Sequence, residues 1–305
     1  MIRASTTLIT GLLSALTLFS HPVAANKLEA QPAGPTTVVW SRTDFAPFFI
    51  LEGQYANQGI SDQIIRLFSR KISGFNHKPT VMSLKRMLRN AQSANPICHV
   101  ALLKTPERET FIDYSQPIMQ NYGNGIVTTE QGLSKFGLTP DSISQIHLED
   151  YVGRPLTISI HDGRAYEPHI NDVISQWKTQ PESIFQVKTG LKDHERLVHL
   201  LVNGRLDGMI ARPEEVEYSK QQFGINAPLF FIPIADTPTL SLGHVGCSKG
   251  DWNKPLMAEI NRLIAEDPEV RQTINAAYRQ WLPEHLRQHY DLIKNLSFSP
   301  PDHSR

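Results

Sequence analysis

The sequence predicts an α/β protein of two similar lobes. Apolar, strand-like runs alternate with segments of helical period, and that alternation runs strand-helix-strand-helix-strand twice in tandem. After the second run the chain supplies one more strand and then only helices, which need an existing sheet to pack on. Strands alternating with helices imply parallel-type sheets covered on both faces.

The first run opens on Val38-Val39-Trp40-Ser41, a short apolar strand. Residues 61–72 are apolar at 64, 65, 68 and 72, a helical period, with Ser61 as the expected cap. Residues 80–82 are strand-like, 84–91 helical, and 99–103 a buried-type strand. Thr105-Pro106-Glu107 opens a helical turn, with Thr as cap and Pro at the first position. In the second run, 156–160, 185–187 and 207–211 are strands, and 166–177, 191–202 and 213–223 are helices. Between the runs Asn121-Tyr122-Gly123-Asn124-Gly125 precedes a strand at 126–129. A second passage, 230–238, leads into 240–247. Neither passage is a floppy Gly/Ser linker; both read as extended crossings about which lobes could hinge. The last helices, 255–265 and 268–281, the latter capped by Asp267, are expected to return to the first sheet. The expected organisation is therefore lobe 1 from 26–124 and 236–296, lobe 2 from 125–235, and a flexible polar tail at 297–305.

Composition narrows the function classes. With 305 residues, length alone suggests about two domains. Thirty basic side chains balance 30 acidic ones, against the basic excess that a nucleic-acid binder needs. Two cysteines cannot build a disulfide-rich scaffold or, alone, a zinc finger. Residues 1–25 read as a secretory signal peptide: Arg3, an apolar run at 8–19, and small residues ahead of a cut after Ala25. The expected location is an oxidising compartment, a bacterial periplasm, where a cysteine pair can be bridged.

Several local motifs, in order, resemble the family 3 bacterial extracellular solute-binding proteins, the amino-acid-type periplasmic receptors of ABC transporters. They are Asp44-Phe45-Ala46-Pro47-Phe48, Gly59-Ile60-Ser61-Asp62, and Thr105-Pro106-Glu107-Arg108 followed by Ile112-Asp113-Tyr114-Ser115-Gln116-Pro117-Ile118. Further along stand Leu148-Glu149-Asp150 with Gly153, then Gly204-Arg205-Leu206-Asp207-Gly208, then Tyr278-Arg279-Gln280-Trp281-Leu282-Pro283. The chain resembles a divergent member. The resemblance implies a two-lobed periplasmic-binding-protein type II fold, with two mixed sheets flanked by helices and joined by two crossings.

By that resemblance Arg108 grips a ligand carboxylate, for which a planar guanidinium offers a matched pair of donors. Phe45 supplies an apolar wall. The loop His161-Asp162-Gly163-Arg164-Ala165 would offer backbone N–H groups of Gly163, Arg164 and Ala165 to an anion at a helix N-terminus. Leu103 stands where many relatives carry a serine or threonine ahead of the TPER motif. Arg212 falls where relatives place an acidic residue for the ligand ammonium, unless Glu214 or Glu215 takes that place. Arg42 falls at an acidic position of receptors for basic amino acids. These departures point away from an ordinary α-amino acid and towards an anionic compound, with two acidic groups as one form.

The expected role is capture of a small carboxylate-bearing solute for an ABC permease in another chain, by a monomer, with no cofactor, metal, reaction or nucleic acid. Two alternatives remain. One is a ligand- or partner-sensing subunit for a membrane signalling protein. The other is a lyase of cyclohexadienyl dehydratase type, which needs a general acid such as Asp162, Glu214 or Glu215. The pairs His161/His169 and His285/His289 lack a spaced third ligand for a metal. No glycine-rich phosphate loop occurs. The resemblance also places the strand of Cys98 beside the return strand of Cys247. A Cys98–Cys247 disulfide is expected, closing a loop of roughly 150 residues.

Overall fold

The computed structural model describes residues 35–161, 164–181, 183–188 and 193–293. The 1–25 leader, Asp162, Gly163 and the 297–305 tail lie outside the described residues.

The first sheet grows from Trp40. Strand β1 (Thr36–Arg42) sends Val38 and Trp40 to one face, both fully buried. It lies parallel to β2 (Phe75–Val81) and to β3 (Ile97–Leu102). Two short strands follow, β4 (Ile112–Tyr114) and β5 (Met119–Tyr122). The late strand β11 (Leu240–Ser248) enters antiparallel between β3 and β4 and also pairs with β5. The sheet order is β2-β1-β3-β11-β4.

Helix α1 (Ile60–Lys71) covers the Trp40 face with Ile64, Ile65, Leu67 and Phe68. Its cap is Gly59, two residues ahead of the predicted cap Ser61. The Gly59 N–H donates to Asp62 Oδ2 at 3.2 Å, and a Cβ there would stand 2.5 Å from the Phe48 carbonyl oxygen. Only glycine fits this approach. The C-terminal helices α8 (Asn253–Glu266) and α9 (Pro268–Arg279) complete the same face through Leu256, Ile260, Val270, Ile274 and Tyr278. Asp267, the α9 cap, also accepts from Lys71 at 2.8 Å and so ties α9 to the last turn of α1. Helix α2 (Leu84–Gln92) covers the other face with Met87 and Ala91. Cys247 pairs with Cys98 in register, and their Sγ atoms are bonded, with Cα atoms 4.1 Å apart.

The second sheet has the order β10-β6-β9-β7-β8, from β6 (Gly125–Thr129), β7 (Ile158–His161), β8 (Phe185–Lys188), β9 (Gly208–Ala211) and β10 (Leu229–Pro233). Here β7 is parallel to β8 and β9, whereas β6 is antiparallel to β9 and β10. Helix α5 (Pro168–Trp177) packs Ile170, Val173 and Ile174 on Ile126, Ile158 and Ile210. Helices α6 (Asp193–Val202) and α7 (Pro213–Phe223) cover the opposite face through Leu197, Leu201 and Val216.

The crossings are shorter than expected. Residues 121–122 belong to β5 and 125–129 to β6, leaving Gly123 and Asn124 between the sheets. Likewise β10 takes up 229–233, so the return is 234–239. The two crossings run side by side, the Gly123 N–H donating to the Thr239 carbonyl at 2.9 Å.

Candidate functional site

In α/β sheets ligands bind beyond the carboxyl ends of parallel strands. Leaving out the edge strands β2 and β8, these ends are Arg42 of β1, Leu102 of β3, His161 of β7 and Ala211 of β9. The predicted site residues Phe45, Arg108, Arg164 and Arg212 each lie just beyond one of them. The structure brings Phe45 and Arg164 together: the Arg164 guanidinium carbon stands 4.8 Å from the Phe45 ring centroid. The two edges therefore face one another.

Arg108 lies on the short helix α3 (Pro106–Glu109), which Thr105 caps by accepting from the Arg108 N–H at 3.3 Å. Just upstream the backbone kinks: Ala101 has φ of 61°, and the β3–β11 register shifts between His244 and Gly246. Such a bulge redirects a chain at a strand end. The Leu103 carbonyl beyond it accepts from Arg108 Nη1 at 3.0 Å and from the Tyr114 hydroxyl at 3.3 Å. Leu103 thus serves the site through its backbone. Arg108 is only 7% exposed, and among the described residues no carboxylate forms an ion pair with it. Burial accordingly lowers its pKa. Burial, with Arg108 adding to it, also pushes the His99 imidazole down to about 4, against the Ser41 carbonyl, which favours the charged form.

The other arginines are neutralised inside the protein. Arg42 donates to Asp62 Oδ1 at 2.8 Å and to the Ile50 carbonyl at 3.3 Å. Arg164 makes a two-pronged pair with Glu215, at 3.1 and 2.6 Å, and donates to Asn124 Oδ1 at 2.7 Å. Burial opposes its charge, but Glu215, Tyr166 and Glu167 outweigh burial, and its pKa rises. Arg212 donates to the Tyr122 carbonyl at 3.0 Å and comes within 4.0 Å of Glu167. Arg42, Arg164 and Arg212 thus each lie against a carboxylate of the protein itself. Glu215 accepts from Arg164 and also from the Arg212 N–H at 3.1 Å.

The helix expected to start at Tyr166, just after the 161–165 loop, starts two residues later. Helix α5 begins at Pro168, with Glu167 as its cap. Proline fixes the first helical position and keeps the residue before it extended. The Arg164 N–H donates instead to the His161 carbonyl at 3.4 Å, Ala165 is half-buried in the loop, and Gly163 lies outside the described residues.

Further residues surround these side chains, Phe48 and Tyr278 from the motifs quoted above and Asn124 from the first crossing. Asn124, in the first crossing, is held by Glu167 through its N–H at 3.3 Å and its Nδ2 at 2.9 Å. Tyr278 of α9 donates to Glu214 Oε2 of α7 at 3.1 Å and accepts the Tyr122 N–H at 2.8 Å. Phe48 stacks on Phe45, centroids 4.9 Å apart. Tyr218 of α7 packs edge-on against Trp281, which meets Tyr55 in the same way. Glu214 is fully buried, and burial pushes its carboxyl up to about 7 against the opposing pull of Arg212. Among the described residues there is no group of three or more His, Cys, Asp or Glu side chains able to hold a metal ion. Nor is any helix there long and apolar enough to cross a membrane.

No family model matches the chain, and no curated protein matches it. Solved structures do. The substrate-binding protein of an amino acid ABC transporter is similar with a TM-score of 0.56 at 17% identity, over 80% of this chain and 98% of that one. A histidine kinase sensor domain with similarity to periplasmic binding proteins reaches 0.59 at 16%, over 82% and 96%. The ancestral amino-acid-binding protein AncCDT-1, a precursor of cyclohexadienyl dehydratase, reaches 0.56 at 17%, over 81% and 96%. With the two mixed sheets and their flanking helices, these likenesses define the class: a periplasmic-binding-protein type II fold.

Proposed function

We propose that this chain is a two-lobed periplasmic receptor that captures a small carboxylate-bearing solute between its sheets and presents it to a membrane protein in another chain. The lobes correspond to 26–124 with 236–296, and 125–235. The single observation that carries this reading is Arg108, a buried guanidinium with no carboxylate partner among the described residues, at the carboxyl end of β3. A buried cation is costly unless paired, so a site that keeps one unpaired is arranged for an anion. With the other three arginines neutralised, one carboxylate is the natural complement, not two. Leu103, whose carbonyl orients Arg108, and Phe45 would border the solute.

Binding suits the site better than catalysis. Of the three general-acid candidates, Glu215 is tied to Arg164, Asp162 lies outside the described residues, and Glu214 has no exposed surface from which to reach a substrate. Delivery to an ABC permease and signalling to a sensor both require closure on the solute, and both follow from the same site.

The test is thermal melting of the purified protein with acetate, succinate, glutamate, glutamine and benzoate, and with ethylamine and lysine amide as carboxylate-free controls. A bound acid at one hundred times its Kd adds about 2.7 kcal/mol. At this size that raises the melting point by about 5 °C. Melting that responds to the amines and to none of the acids contradicts the reading.

A further inference from the structure

The Arg164 guanidinium has the environment that a separate guanidinium ligand would require. Its two terminal nitrogens meet the Glu215 carboxylate in a two-pronged pair, and Nη2 also donates to Asn124 Oδ1. The Phe45 and Tyr166 rings lie 4.8 and 5.1 Å from its carbon, close enough for cation–π attraction. The Arg164 side chain is 10% exposed and that of Glu215 fully buried. These partners come from different parts of the chain: Phe45 follows β1 of the first sheet, Asn124 lies in a crossing, and Glu215 belongs to α7 over the second sheet. One planar cation therefore touches both sheets and the strap between them. That is the position from which a bound solute holds two lobes shut.

We propose that Phe45, Tyr166, Asn124 and Glu215 form a guanidinium-binding site which the protein fills with its own Arg164. The tethered side chain acts as a built-in ligand and favours the closed arrangement before any solute arrives. A tethered group competes at an effective concentration on the order of millimolar or higher. Free guanidinium compounds are therefore excluded from the native chain, and solute is left the Arg108 end of the cleft. Removing the Arg164 side chain exposes the Phe45 face and the Glu215 carboxylate to a guanidinium from solution.

The inference rests on the reading of the two sheets as closing lobes, but not on carboxylate capture by Arg108. Its test is R164A, studied by thermal melting and small-angle X-ray scattering with methylguanidinium, with methylammonium as the control for charge alone. Wild type is expected to ignore both compounds. R164A is expected to melt lower and show a larger radius of gyration. Methylguanidinium should restore both, raising the melting point by about 5 °C at saturation, and methylammonium should restore neither. The double variant F45L/R164A should lose the rescue. If R164A does not fold alone, folding regained in methylguanidinium is the supporting result, and failure to regain it overturns the proposal. F45L, which leaves the Arg164–Glu215 pair in place, should by itself enlarge the radius of gyration; an unchanged radius counts against the site. The proposal is overturned if folded R164A keeps the wild-type radius and ignores methylguanidinium, or if methylammonium rescues equally. A wild-type acid response that Arg108 carries, without rescue of R164A, sinks this inference alone.

Discussion

Arg108 and Arg164 both expose little of their side chains, yet their replacement by methionine should shift stability in opposite directions. In R164M a two-pronged ion pair is broken and the Glu215 carboxylate, fully buried, loses its guanidinium. Breaking a buried pair by removing one partner costs about 3–5 kcal/mol. In R108M the lost contact is one hydrogen bond to the Leu103 carbonyl, worth about 1 kcal/mol, and the Tyr114 hydroxyl still donates to that oxygen. Against it stands release from burying a cation that has no ion-paired carboxylate and that Tyr114 and Glu107 offset only in part, a penalty of several kcal/mol. Methionine fills most of the space of the aliphatic stem. We expect R108M to be about 1–3 kcal/mol more stable than wild type, stability gained at the expense of binding. Urea denaturation in solute-free buffer, followed by circular dichroism, reads both variants. A loss of 2 kcal/mol or more in R108M would show that its guanidinium is a structural strut, and the case for an anion site would fall.

Other outcomes follow from the same structure. Folding raises the Glu214 carboxyl from 4.5 to about 7, so the folded chain binds more protons than the unfolded one over that range, and stability falls as pH rises through it. E214Q should remove this slope and be up to about 3 kcal/mol more stable than wild type at pH 8, while matching it near pH 4; an unchanged pH profile would refute the assignment. His99 works in the opposite direction, its pKa lowered from 6.5 to about 4, so its contribution is lost as pH falls through that window. In wild type the two slopes oppose each other between about pH 4.5 and 6.5; H99Q should leave a stability that only falls with rising pH there. Asp62 accepts from Arg42 and from the Ile50 and Gly59 N–H groups; D62A should cost about 3 kcal/mol in urea denaturation, and a loss under 1 kcal/mol would mean that these bonds are dispensable. The disulfide closes a separation of 149 residues; C98A/C247A should lose about 2–5 kcal/mol, and a variant melting with wild type would contradict its stabilising role.

What was legible in the sequence followed the strength of local signals. Helix α7 is read to the residue, because Pro213 fixes its start and Gly224, at φ of 60°, ends it in the left-handed region. The Asp267-Pro268 start of α9 is equally plain. Where two signals competed, boundaries slipped: apolar Tyr166 suggested the start of α5, but Pro168 decides it. Strands β4, β5 and β10 and helices α4 (Glu130–Lys135) and α10 (Glu284–Ile293) were not anticipated, being short or without clear caps. The site was legible as residue types and not as pairings. Arg108, Arg164 and Arg212 were all picked out, but nothing local reveals that Glu215, 51 residues away, neutralises Arg164, or that Glu167 lies near Arg212. Those pairings belong to tertiary structure, and of Arg42, Arg108, Arg164 and Arg212 they leave Arg108 as the one without an ion-paired carboxylate among the described residues.

The most direct test of carboxylate capture is isothermal titration of wild type and R108Q with whichever of acetate, succinate, glutamate, glutamine and benzoate stabilises wild type most. If Arg108 holds the carboxylate, R108Q should stay folded and bind that acid at least about 30-fold more weakly, the loss expected when one partner of a buried charge pair is removed. Equal affinity in the two proteins would contradict the account.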